Sequence, residues 1–496
     1  GWVLARHDAL FPLQQTRVAP LTTLLCKIFR KRSKLRAGQR LALALQKLGP
    51  SYIKFGQSMS TRSDIIGDEI ARDLADLRDA LPPFPTEQVH QFIEEDFAAP
   101  TSELFENFDE APIAAASIAQ VHFATTKDGK KVAVKVLRPN VREEFARDIE
   151  LFTWIASLLK HRPDMDRFKP VEVVQTFAES VKMELDLRFE ASAAAELRQN
   201  MANDAEFYVP EVYWPLTSGR LLTLERLNGT KISDLKTLKE KNHDFKGLVK
   251  IAAEGFFNQV FRDGYFHADL HPGNLFVLDD GRIAVVDFGI MGRVSWQERL
   301  YLVEILRGFL QGDYRKVAQM HFNAGYVPAR KNVDHFTTAC RAIGEPILGL
   351  PVDQISVAKL LEQLFEVATT FEMQTQPQLL LLQKTMMVAE GVGRMLQPNV
   401  NMWKLAEPLV MEWAISNLGP KARVKYMAEQ AQHLAERLPA AMQHAENLLK
   451  KVDSGGIKLH PETVASLLAE RKRSHNHWLF LAWAGLLCFV GLLFFK

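Results

Sequence analysis

The sequence predicts an α+β protein with two lobes, and three observations lead to that fold class. Helical periodicity dominates residues 1–105 and returns in the second half of the chain. Short β-rich segments with turn residues between them occur within residues 111–138 and 211–227. Two more apolar strands flank the Asp-Asp-Gly turn at residues 279–281. Strands gathered in a few places within a mostly helical chain indicate a small lobe with an antiparallel sheet and a larger helical lobe.

The predicted boundaries divide the chain into five parts. A helical N-terminal extension covers residues 1–105, and prolines 82, 83 and 85 interrupt its helical pattern. The small lobe covers 106–227 and the large lobe 228–400. C-terminal helices at 401–470 and a hydrophobic segment at 478–495 complete the chain.

The elements of the small lobe follow from periodicity and turn residues. The segments VHFATT and KVAVKVL alternate like strands, and the Lys-Asp-Gly turn at residues 127–129 joins them into a hairpin. Two long helical stretches follow, at 140–160 and 169–201. Residues 211–227 then return to a strand, turn, strand pattern.

Composition excludes several classes of protein. The chain has 496 residues, 47% of them hydrophobic and 24% charged, and a formal net charge of +2. Such a small charge gives no general attraction to nucleic acid, which we do not expect as a partner. The three cysteines, Cys26, Cys340 and Cys488, are far apart, which argues against a disulfide framework or a zinc cluster. No cleavable signal pattern begins at Gly1, so we do not expect secretion.

The C-terminal segment predicts a membrane anchor. From Trp478 to Phe495 the chain runs 18 residues without a charge, between the basic residues 471–473 and Lys496. As a helix it would span ~27 Å, enough for a thin hydrocarbon core. A buried core helix is the alternative, but it would not need an apolar circumference and a basic collar. The basic collar puts the preceding domain on the cytoplasmic side of the membrane.

The strongest motif begins at His267. The pattern His267-Ala-Asp269-Leu-His271-Pro-Gly-Asn274 is followed by Asp287-Phe-Gly, and together they match the catalytic loop and the D-F-G motif of protein kinases. Phosphoryl transfer depends on Mg²⁺ ions that bridge the phosphates, and hard oxygen ligands suit them. We therefore assign Asn274 and Asp287 to Mg²⁺. Asp269 would orient or deprotonate an acceptor hydroxyl or a water.

A transition-metal site is the alternative interpretation of this motif. His267 and His271 lie four residues apart, a spacing at which both could bind one metal ion. That interpretation would leave Asn274 and the D-F-G motif unexplained.

Upstream residues predict the rest of a nucleotide site. Val-Ala-Val-Lys135 has the form of the kinase strand whose lysine holds the phosphates, and Glu190 is placed to pair with it, so both are assigned to catalysis. Where a kinase has a Gly-rich loop, residues 111–122 are rich in alanine, which restricts the backbone and would alter nucleotide selectivity or slow turnover. Besides Lys135, the predicted nucleotide contacts are Ala114, Ala115, Ala116, Ser117, Ile118 and Val121 of this loop and Glu225 and Leu227 of the hinge.

Two further motifs make a family resemblance specific. They are Lys54-Phe-Gly-Gln57 and Glu184-Leu-Asp186. With KxGQ, an Ala-rich loop, ExD, HxDxxxxN and DFG in that order, the chain resembles the UbiB/ADCK family of atypical kinases over residues 40–300. With its hydrophobic tail it resembles the bacterial UbiB branch. The resemblance implies an atypical protein-kinase-like bilobal fold with an N-terminal helical extension and a C-terminal transmembrane helix.

The resemblance also implies cofactors and regulation. ATP and Mg²⁺ are the expected cofactors. In that family the KxGQ helix lies over the active site, which implies a pair between Lys54 and Glu184 that restrains the site. We accordingly expect Lys54, Gln57, Glu184 and Asp186 to be regulatory.

The expected function follows from the family as well. It is a membrane-anchored Mg-ATP-dependent kinase or ATPase that supports ubiquinone (coenzyme Q) biosynthesis at the inner membrane. No A-P-E motif follows Gly289, so we expect action on or near lipid intermediates rather than on proteins in trans. The expected partners are ATP, membrane lipid, quinone-biosynthesis intermediates and enzymes, and a second copy of the chain.

Two other functions stay open at this point. One is a nucleotide-binding pseudokinase that acts as a scaffold for quinone-biosynthesis enzymes. The other is a 2-polyprenylphenol hydroxylase, a monooxygenase that would need flavin, haem or non-haem iron. The sequence lacks G-x-G-x-x-G, because Leu396 stands where the third glycine after Gly391 and Gly393 would be.

Overall fold

The computed structural model forms two compact units, residues 1–414 and 415–496. Of the second unit it describes only residues 415–418, the end of the last helix. The described residues are 2–11, 35–60, 62, 66–75, 77, 81–160, 169–346, 367–368, 370–373, 376–400 and 402–418.

The chain begins with short helices that pack on one another, α1 (Trp2–Arg6), α2 (Ala37–Leu48), α3 (Pro50–Ser60) and α4 (Asp68–Ala75). Their core contains Leu45, Met59, Leu74 and Leu77. Gly56 of α3 lies against it, and a Cβ there would stand 2.6 Å from Leu77 and 2.7 Å from Leu45. A glycine at this position therefore lets the helices approach closely.

An antiparallel sheet follows, covered by α5 (Thr86–Phe97) and the short α6 (Thr101–Leu104). Its first strands are β1 (Phe105–Phe108), β2 (Ala114–Ala115), β3 (Ala119–Thr126) and β4 (Lys131–Leu137). Valines 132, 134 and 136 alternate along β4 and pack against Val89 and Ile93 of α5. The period of two puts Lys135 on the opposite face of the sheet.

Three helices come next, α7 (Val141–Lys160), α8 (Pro170–Glu184) and α9 (Leu187–Asn200). The sequence pattern predicted one helix where α8 and α9 lie. The helix is interrupted because Asp186 adopts an extended conformation and its side chain accepts a hydrogen bond from the backbone N–H of Arg188. Asp186 is thus the N-cap of α9, a role that aspartate favours.

The chain then passes to the large lobe and back. Strand β5 (Phe207–Tyr208) joins the large-lobe sheet, and β6 (Leu221–Glu225) pairs with β4. The predicted strand before β6 is reduced to a bridge between Val212 and Leu224 and a 3₁₀ turn at Trp214–Leu216. Pro215 lacks an N–H and cannot continue a ladder there.

The large lobe contains a second sheet and a β-ribbon. The sheet has the order β5, β10 (Ile283–Val285), β9 (Leu275–Leu278) and β7 (Gly229–Lys231), and the ribbon pairs β8 (Tyr265–His267) with β11 (Met291–Arg293). Helices α10 (Leu235–Glu240) and α11 (Phe245–Phe257) precede β8, and a π-helical turn (Asn258–Asp263) extends α11. After β11 come α12 (Trp296–Gln311), α13 (Tyr314–Asn323), α14 (Val333–Gly344), α15 (Pro377–Leu396) and α16 (Met402–Leu418).

Within the described ranges, no helix combines the length and the apolar character needed to cross a membrane. The predicted anchor at 478–495 and most of the predicted helices at 401–470 lie outside the described residues.

Candidate active site

Lys135 of β4 joins three parts of the molecule. Its Nζ donates hydrogen bonds of 2.8 and 2.9 Å to the two carboxylate oxygens of Glu190 on α9. It also donates to Oδ1 of Asp287, 3.2 Å away, in the turn after β10. The small sheet, the helix α9 and the large lobe therefore meet at one ammonium group.

The charges of this group determine each other's protonation. Burial alone would lower the pKa of Lys135, but the carboxylates of Asp287 and Glu190 raise it above its usual value. Lys135 in turn holds the pKa of Asp287 well below its ordinary range. Burial raises the pKa of Glu190, and the charge of Lys135 opposes that effect. Lys135 and Asp287 are both ionised at neutral pH.

His267 organises the catalytic loop from the protein interior. Its side chain is fully buried, and burial lowers its pKa. Nδ1 accepts a hydrogen bond of 3.1 Å from the backbone N–H of Asp269. The ring proton is therefore on Nε2, which donates to the carbonyl of Val286, 3.2 Å away. Both ring nitrogens are used, so His267 is not available as a metal ligand.

His271 does not complete a metal site with it. Nδ1 of His271 accepts from the backbone N–H of Gly273 at 2.9 Å, and Nε2 lies 3.9 Å from Oδ2 of Asp269. Among the residues that the structure describes, no group of three or more His, Cys, Asp or Glu side chains is arranged to hold a metal ion. The geometry gives no support to the transition-metal interpretation.

Asn274 and Asp287 present oxygen atoms that suit Mg²⁺. The side-chain amide of Asn274 donates from Nδ2 to the carbonyl of Asp269 at 3.0 Å, so Oδ1 is the amide atom that could bind a metal ion. The carbonyl of Asn274 accepts from the N–H of Val286 at 3.0 Å, so Asn274, directly before β9, lies beside the residue before Asp287. One carboxylate and one amide, with phosphate oxygens and water, form the ligand set that Mg²⁺ commonly takes.

Asp287 itself adopts an unusual backbone conformation. Its φ is +66°, in the left-handed region that residues other than glycine rarely occupy. Such strain persists where the surrounding structure imposes it, and it is common at functional sites. Its side chain is half exposed, although its Oδ1 accepts a hydrogen bond from Lys135.

The face of the small sheet that carries Lys135 is apolar around that lysine. In the sheet register Lys135 is opposite Val121 of β3 on one side and Leu222 of β6 on the other. Ala133 and Leu224 follow on the same face, two residues along their strands. This face is away from the α5 core, and it provides small and branched side chains against which a planar base can pack.

At the hinge, Glu225 uses its side chain for structure. Its Oε2 accepts hydrogen bonds from the hydroxyl of Tyr208 at 2.6 Å and from the N–H of Glu211 at 3.2 Å. The side chain of Leu227 is half buried. A base at this position would therefore meet the backbone of residues 225–227 rather than the Glu225 carboxylate.

The Ala-rich loop forms a closed turn. Ala114 and Ala115 make up β2, and the N–H of Ala116 donates to the carbonyl of Ala119 at 2.8 Å. Ser117 and Ile118 are buried, with exposed fractions of 0% and 6%. The Ser117 hydroxyl has no hydrogen-bond partner. Of the predicted loop contacts, Ala114 is exposed, Ala115, Ala116 and Val121 are half buried, and these two side chains are inside.

Arg138 holds this turn to the N-terminal extension. Its Nε donates to the carbonyl of Ala116 at 2.9 Å, and its Nη2 donates to the carbonyl of Pro82 at 2.8 Å. It also lines a cavity of about 570 Å³ between α5 and the start of α7. Sequence reasoning missed Arg138, since it belongs to none of the motifs.

The KxGQ helix α3 reaches the site through Lys54. Lys54 forms an ion pair with Glu184 at the end of α8, and its charge contributes to the lowered pKa of Asp287. Phe55 packs on Phe152 of α7 and Phe177 of α8, with ring centroids 4.6 and 5.3 Å apart. The helix is therefore fixed with its lysine near Asp287.

The other two residues predicted to be regulatory make local contacts. Gln57 donates from Nε2 to the carbonyl of Leu77 at 3.3 Å. Asp186 caps α9 and forms an ion pair with Arg188 at 2.6 Å. Arg188 also lowers the pKa of Asp186. The structure thus brings Lys54 and Glu184 to the site and uses Gln57 and Asp186 to fix helices.

A contact from α15 was also missed. Thr385 is fully buried, and its hydroxyl lies 3.1 Å from the carbonyl of Ala268 in the catalytic loop and 2.8 Å from that of Leu381. A threonine within an apolar helical pattern carries no signal of such a long-range contact.

Comparison with known proteins identifies two matching family models. Residues 76–321 match the ABC1 atypical kinase-like domain. Residues 340–401, which include all of α15, match the UbiB helical domain.

Curated relatives cover most of the chain. A protein named "Probable protein kinase UbiB" from Marinobacter nauticus is 38% identical over 489 residues, which are 96% of this chain and 89% of the relative. A protein of the same name from Pseudomonas aeruginosa is 40% identical over 455 residues, 91% of this chain and 84% of the relative.

A solved structure shares the fold. It is that of Rv3197 from Mycobacterium tuberculosis, described as a complex with erythromycin. It is 25% identical in sequence, covers 81% of this chain and 97% of its own, and superposes with a TM-score of 0.50.

Proposed function

The chain belongs to the UbiB family of ABC1 atypical kinase-like proteins, and on that premise we propose that it is a membrane-anchored, Mg-ATP-dependent kinase or ATPase. We propose further that it supports ubiquinone biosynthesis. The observation that carries the ATP half of the proposal is Lys135, held between Glu190 and Asp287. A protein kinase needs the same lysine to glutamate pair and the same D-F-G aspartate for phosphoryl transfer.

Each residue then has a task in that chemistry. Lys135 would hold the phosphates while Glu190 keeps its ammonium in place. Asn274 and Asp287 would hold Mg²⁺, which supplies neutralisation of the charge that develops on the transferred phosphoryl group. Asp269 would accept the proton of the attacking hydroxyl or water. The backbone hydrogen bonds of His267 keep Asp269 oriented for that step.

The Lys54 to Glu184 ion pair supports a restrained ground state. Lys54 lies close enough to Asp287 to lower the pKa of that carboxyl, so a Mg²⁺ ion that enters with ATP would compete for Asp287 with two cations of the protein. We propose that the pair rearranges when phosphates and Mg²⁺ enter. Slow turnover in the absence of a stimulus would follow.

The segment after the D-F-G motif supports a small acceptor. Strand β11 begins two residues after Gly289 and α12 begins at Trp296, so the chain passes from the motif into a helix within seven residues. A peptide-binding activation loop has no room in so short a segment. We propose water or a lipid-pathway intermediate as the acceptor rather than a protein in trans.

The membrane part of the proposal depends on sequence. Residues 478–495 would anchor the protein in the inner membrane, with the kinase-like domain on the cytoplasmic side. Membrane lipid, quinone-biosynthesis intermediates and enzymes, and a second copy of the chain are the partners proposed for it there.

A scaffold that binds nucleotide without turnover is the second candidate. The closed turn of the Ala-rich loop, with Ser117 buried, is the observation that favours it, because an open loop is needed to cover transferring phosphates. No contact of the described residues favours the hydroxylase.

The test is ATP binding and hydrolysis by the purified full-length chain in liposomes that contain anionic lipid, with and without a phenolic quinone-precursor analogue. We expect Mg²⁺-dependent hydrolysis that Asp287→Asn reduces by about 100-fold or more, since the variant loses a charged Mg²⁺ ligand. Asp279→Asn is the matched control, because Asp279 lies in the β9–β10 turn and pairs with Lys241.

Three outcomes separate the candidates. Hydrolysis that rises with lipid or phenol, and that only Asp287→Asn removes, supports the membrane-coupled enzyme. Tight Mg-ATP binding without turnover supports the scaffold. Absence of binding in the unsubstituted protein would refute both.

A further inference from the structure

The π-helical turn at Asn258–Asp263 lies between the two halves of the site. It extends α11 and leads through Gly264 into β8, which ends at His267. π-Helical turns are rare and frequently occur at functional sites. The contacts on its two sides show what this one connects.

On one side, the turn binds the C-terminal end of α9 and the residues that follow it. Nδ2 of Asn258 donates to Oδ1 of Asp204 at 2.8 Å, and Arg262 forms an ion pair with Asp204 at 2.8 Å. Arg262 also donates to the carbonyl of Asn200, the last residue of α9, at 3.1 Å. Asp263 holds the same guanidinium at 2.7 Å. A cation at a helix C-terminus is favourable because the last carbonyls carry partial negative charge.

These charges are more than a surface pair. The side chains of Asp204 and Asp263 are only 15% and 12% exposed, and two carboxylates converge on one guanidinium. Charge-assisted hydrogen bonds in such a setting are stronger and better directed than exposed ion pairs. The C-terminal end of α9 is therefore fixed to the large lobe.

On the other side, the turn supports the catalytic loop. Gln259 is fully buried, and its Oε1 accepts a hydrogen bond of 2.9 Å from the backbone N–H of His267. His267 in turn holds the N–H of Asp269 and the carbonyl before Asp287. A displacement of Gln259 would thus reach both acidic residues.

The turn itself is held in place by α12. Nη1 of Arg299 on α12 donates to the carbonyls of Phe261 and Arg262, at 2.9 and 2.6 Å. These are carbonyl groups at the end of the turn that would otherwise lack helical partners. The turn can therefore transmit position between its two sides as one body.

We propose that this turn couples the helix bearing Glu190 to the catalytic loop, with Arg262 and Gln259 as positioning residues. Helix α9 is a rod of 14 residues with Glu190 in its first turn and the Arg262 contact at its last residue. Such a rod is about 20 Å long, so fixing one end limits where the other can lie. Arg262 acts through Glu190 and thus through Lys135, and it touches no substrate. The inference rests on the proposed function only in the experiment that measures Mg-ATP affinity.

The first experiment is a double-mutant cycle on Mg-ATP affinity, measured with the full chain by calorimetry. We expect Arg262→Gln to weaken ATP binding about tenfold in the native background and to have little effect in the Glu190→Gln background. Arg262→Lys should restore part of the affinity. The control, Lys241→Gln, breaks an exposed ion pair of the same lobe and should change affinity in neither background. An equal loss in both backgrounds would mean that Arg262 serves general stability, and the proposal would be wrong.

The second experiment needs no nucleotide. Amide hydrogen exchange in the unliganded protein would compare Arg262→Gln and Gln259→Met with Lys241→Gln. We expect each of the first two variants to speed exchange in both α9 and residues 264–274, while Lys241→Gln changes neither. Faster exchange on only the altered side, or throughout the chain, overturns the coupling. If the unsubstituted protein binds no ATP, the proposed function fails, and these exchange data still decide the inference.

Discussion

The two sides of the candidate site are held together by different forces. On the large-lobe side, a buried neutral imidazole and backbone hydrogen bonds place Asp269 and Asn274. On the small-lobe side, ion pairs hold the residues in place. Lys135 is shared by Glu190 and Asp287, and Lys54 is paired with Glu184. The hydrogen bonds of the first side form without any ligand. The second can rearrange when an anion with its own Mg²⁺ competes for the same cations.

The largest effect should come from removing the shared charge. Lys135→Met leaves Glu190 and Asp287 without their common partner and removes the cation expected to hold the phosphates. We expect hydrolysis to fall by about 10²–10³-fold, with weaker ATP binding. Lys131→Met is the matched control on the same strand, because its side chain is exposed. If Lys135→Met kept its turnover within a few-fold of the unsubstituted protein, the charge of Lys135 would not be what organises the small-lobe side of the site.

Loss of the His267 imidazole on the large-lobe side should lower the stability of the protein. His267→Leu leaves the N–H of Asp269 and the carbonyl of Val286 without partners, at a cost of about 1–3 kcal/mol for each buried group. Urea unfolding should show a clear decrease in the free energy of unfolding. His335→Leu, at an exposed position of α14, should change it little. A decrease no larger than that of His335→Leu would show that the imidazole is dispensable.

His267 should also contribute to the pH dependence of the unfolding free energy. Its pKa is lowered in the folded protein, so below about pH 6.5 the unfolded state binds the proton more readily and stability falls as the pH falls. We expect His267→Leu to flatten the slope of unfolding free energy between about pH 6.5 and 5. The buried His122 and the half-buried His321, whose pKa values desolvation also lowers, remain in both proteins and contribute equally. An unchanged slope would contradict the assignment.

A smaller effect should follow from loosening the helix that carries Lys54. In Gly56→Ala the new methyl group would lie within 2.7 Å of Leu45 and Leu77, so the helices must separate. We expect a loss of about 1–3 kcal/mol of stability, read from thermal unfolding. Gly67→Ala is unsuitable as a control because its φ is positive, whereas Gly391→Ala on α15 meets open space. Equal effects of Gly56→Ala and Gly391→Ala would argue against close packing at α3.

The smallest effect concerns Asp186. Because this side chain caps α9, Asp186→Ala should cost about 1 kcal/mol of stability. Asp186→Asn should restore most of it, since asparagine caps equally well. ATP turnover should stay within a few-fold in Asp186→Asn. A large loss of activity in that variant would instead support the regulatory role predicted from the ExD motif.

Much of the site could be predicted because its motifs are local. Asp269, Asn274 and Asp287 lie within 20 residues of one another, and a turn between two strands brings them together. Lys135 and Glu190 are 55 residues apart, yet their pairing followed from motif order and is present in the structure. The roles assigned to these residues stay predictions until activity is measured.

The features that could not be predicted depend on long-range contacts that leave no periodic pattern in the sequence. Arg262 and Gln259 sit in a helix-like sequence, and nothing local reveals that one reaches Asp204 and the other His267. The break between α8 and α9 escaped prediction because an Asp is tolerated within a helical pattern, and only its bond to Arg188 makes it a cap. The missing strand before β6 had a visible cause in Pro215, which periodicity outweighed.

The Arg138 contact has a practical consequence for dissecting this protein. The same guanidinium holds the Ala-rich turn at Ala116 and the extended segment at Pro82. A version trimmed to the matched kinase-like region would keep Pro82, but it would lose the helices α2 to α4 that precede this segment. The extended segment at Pro82 would then be held at one end only, and the Ala-rich turn would be free to open. Kinetic constants measured on such a fragment would therefore describe a protein whose Ala-rich turn opens more easily than it does in the whole chain.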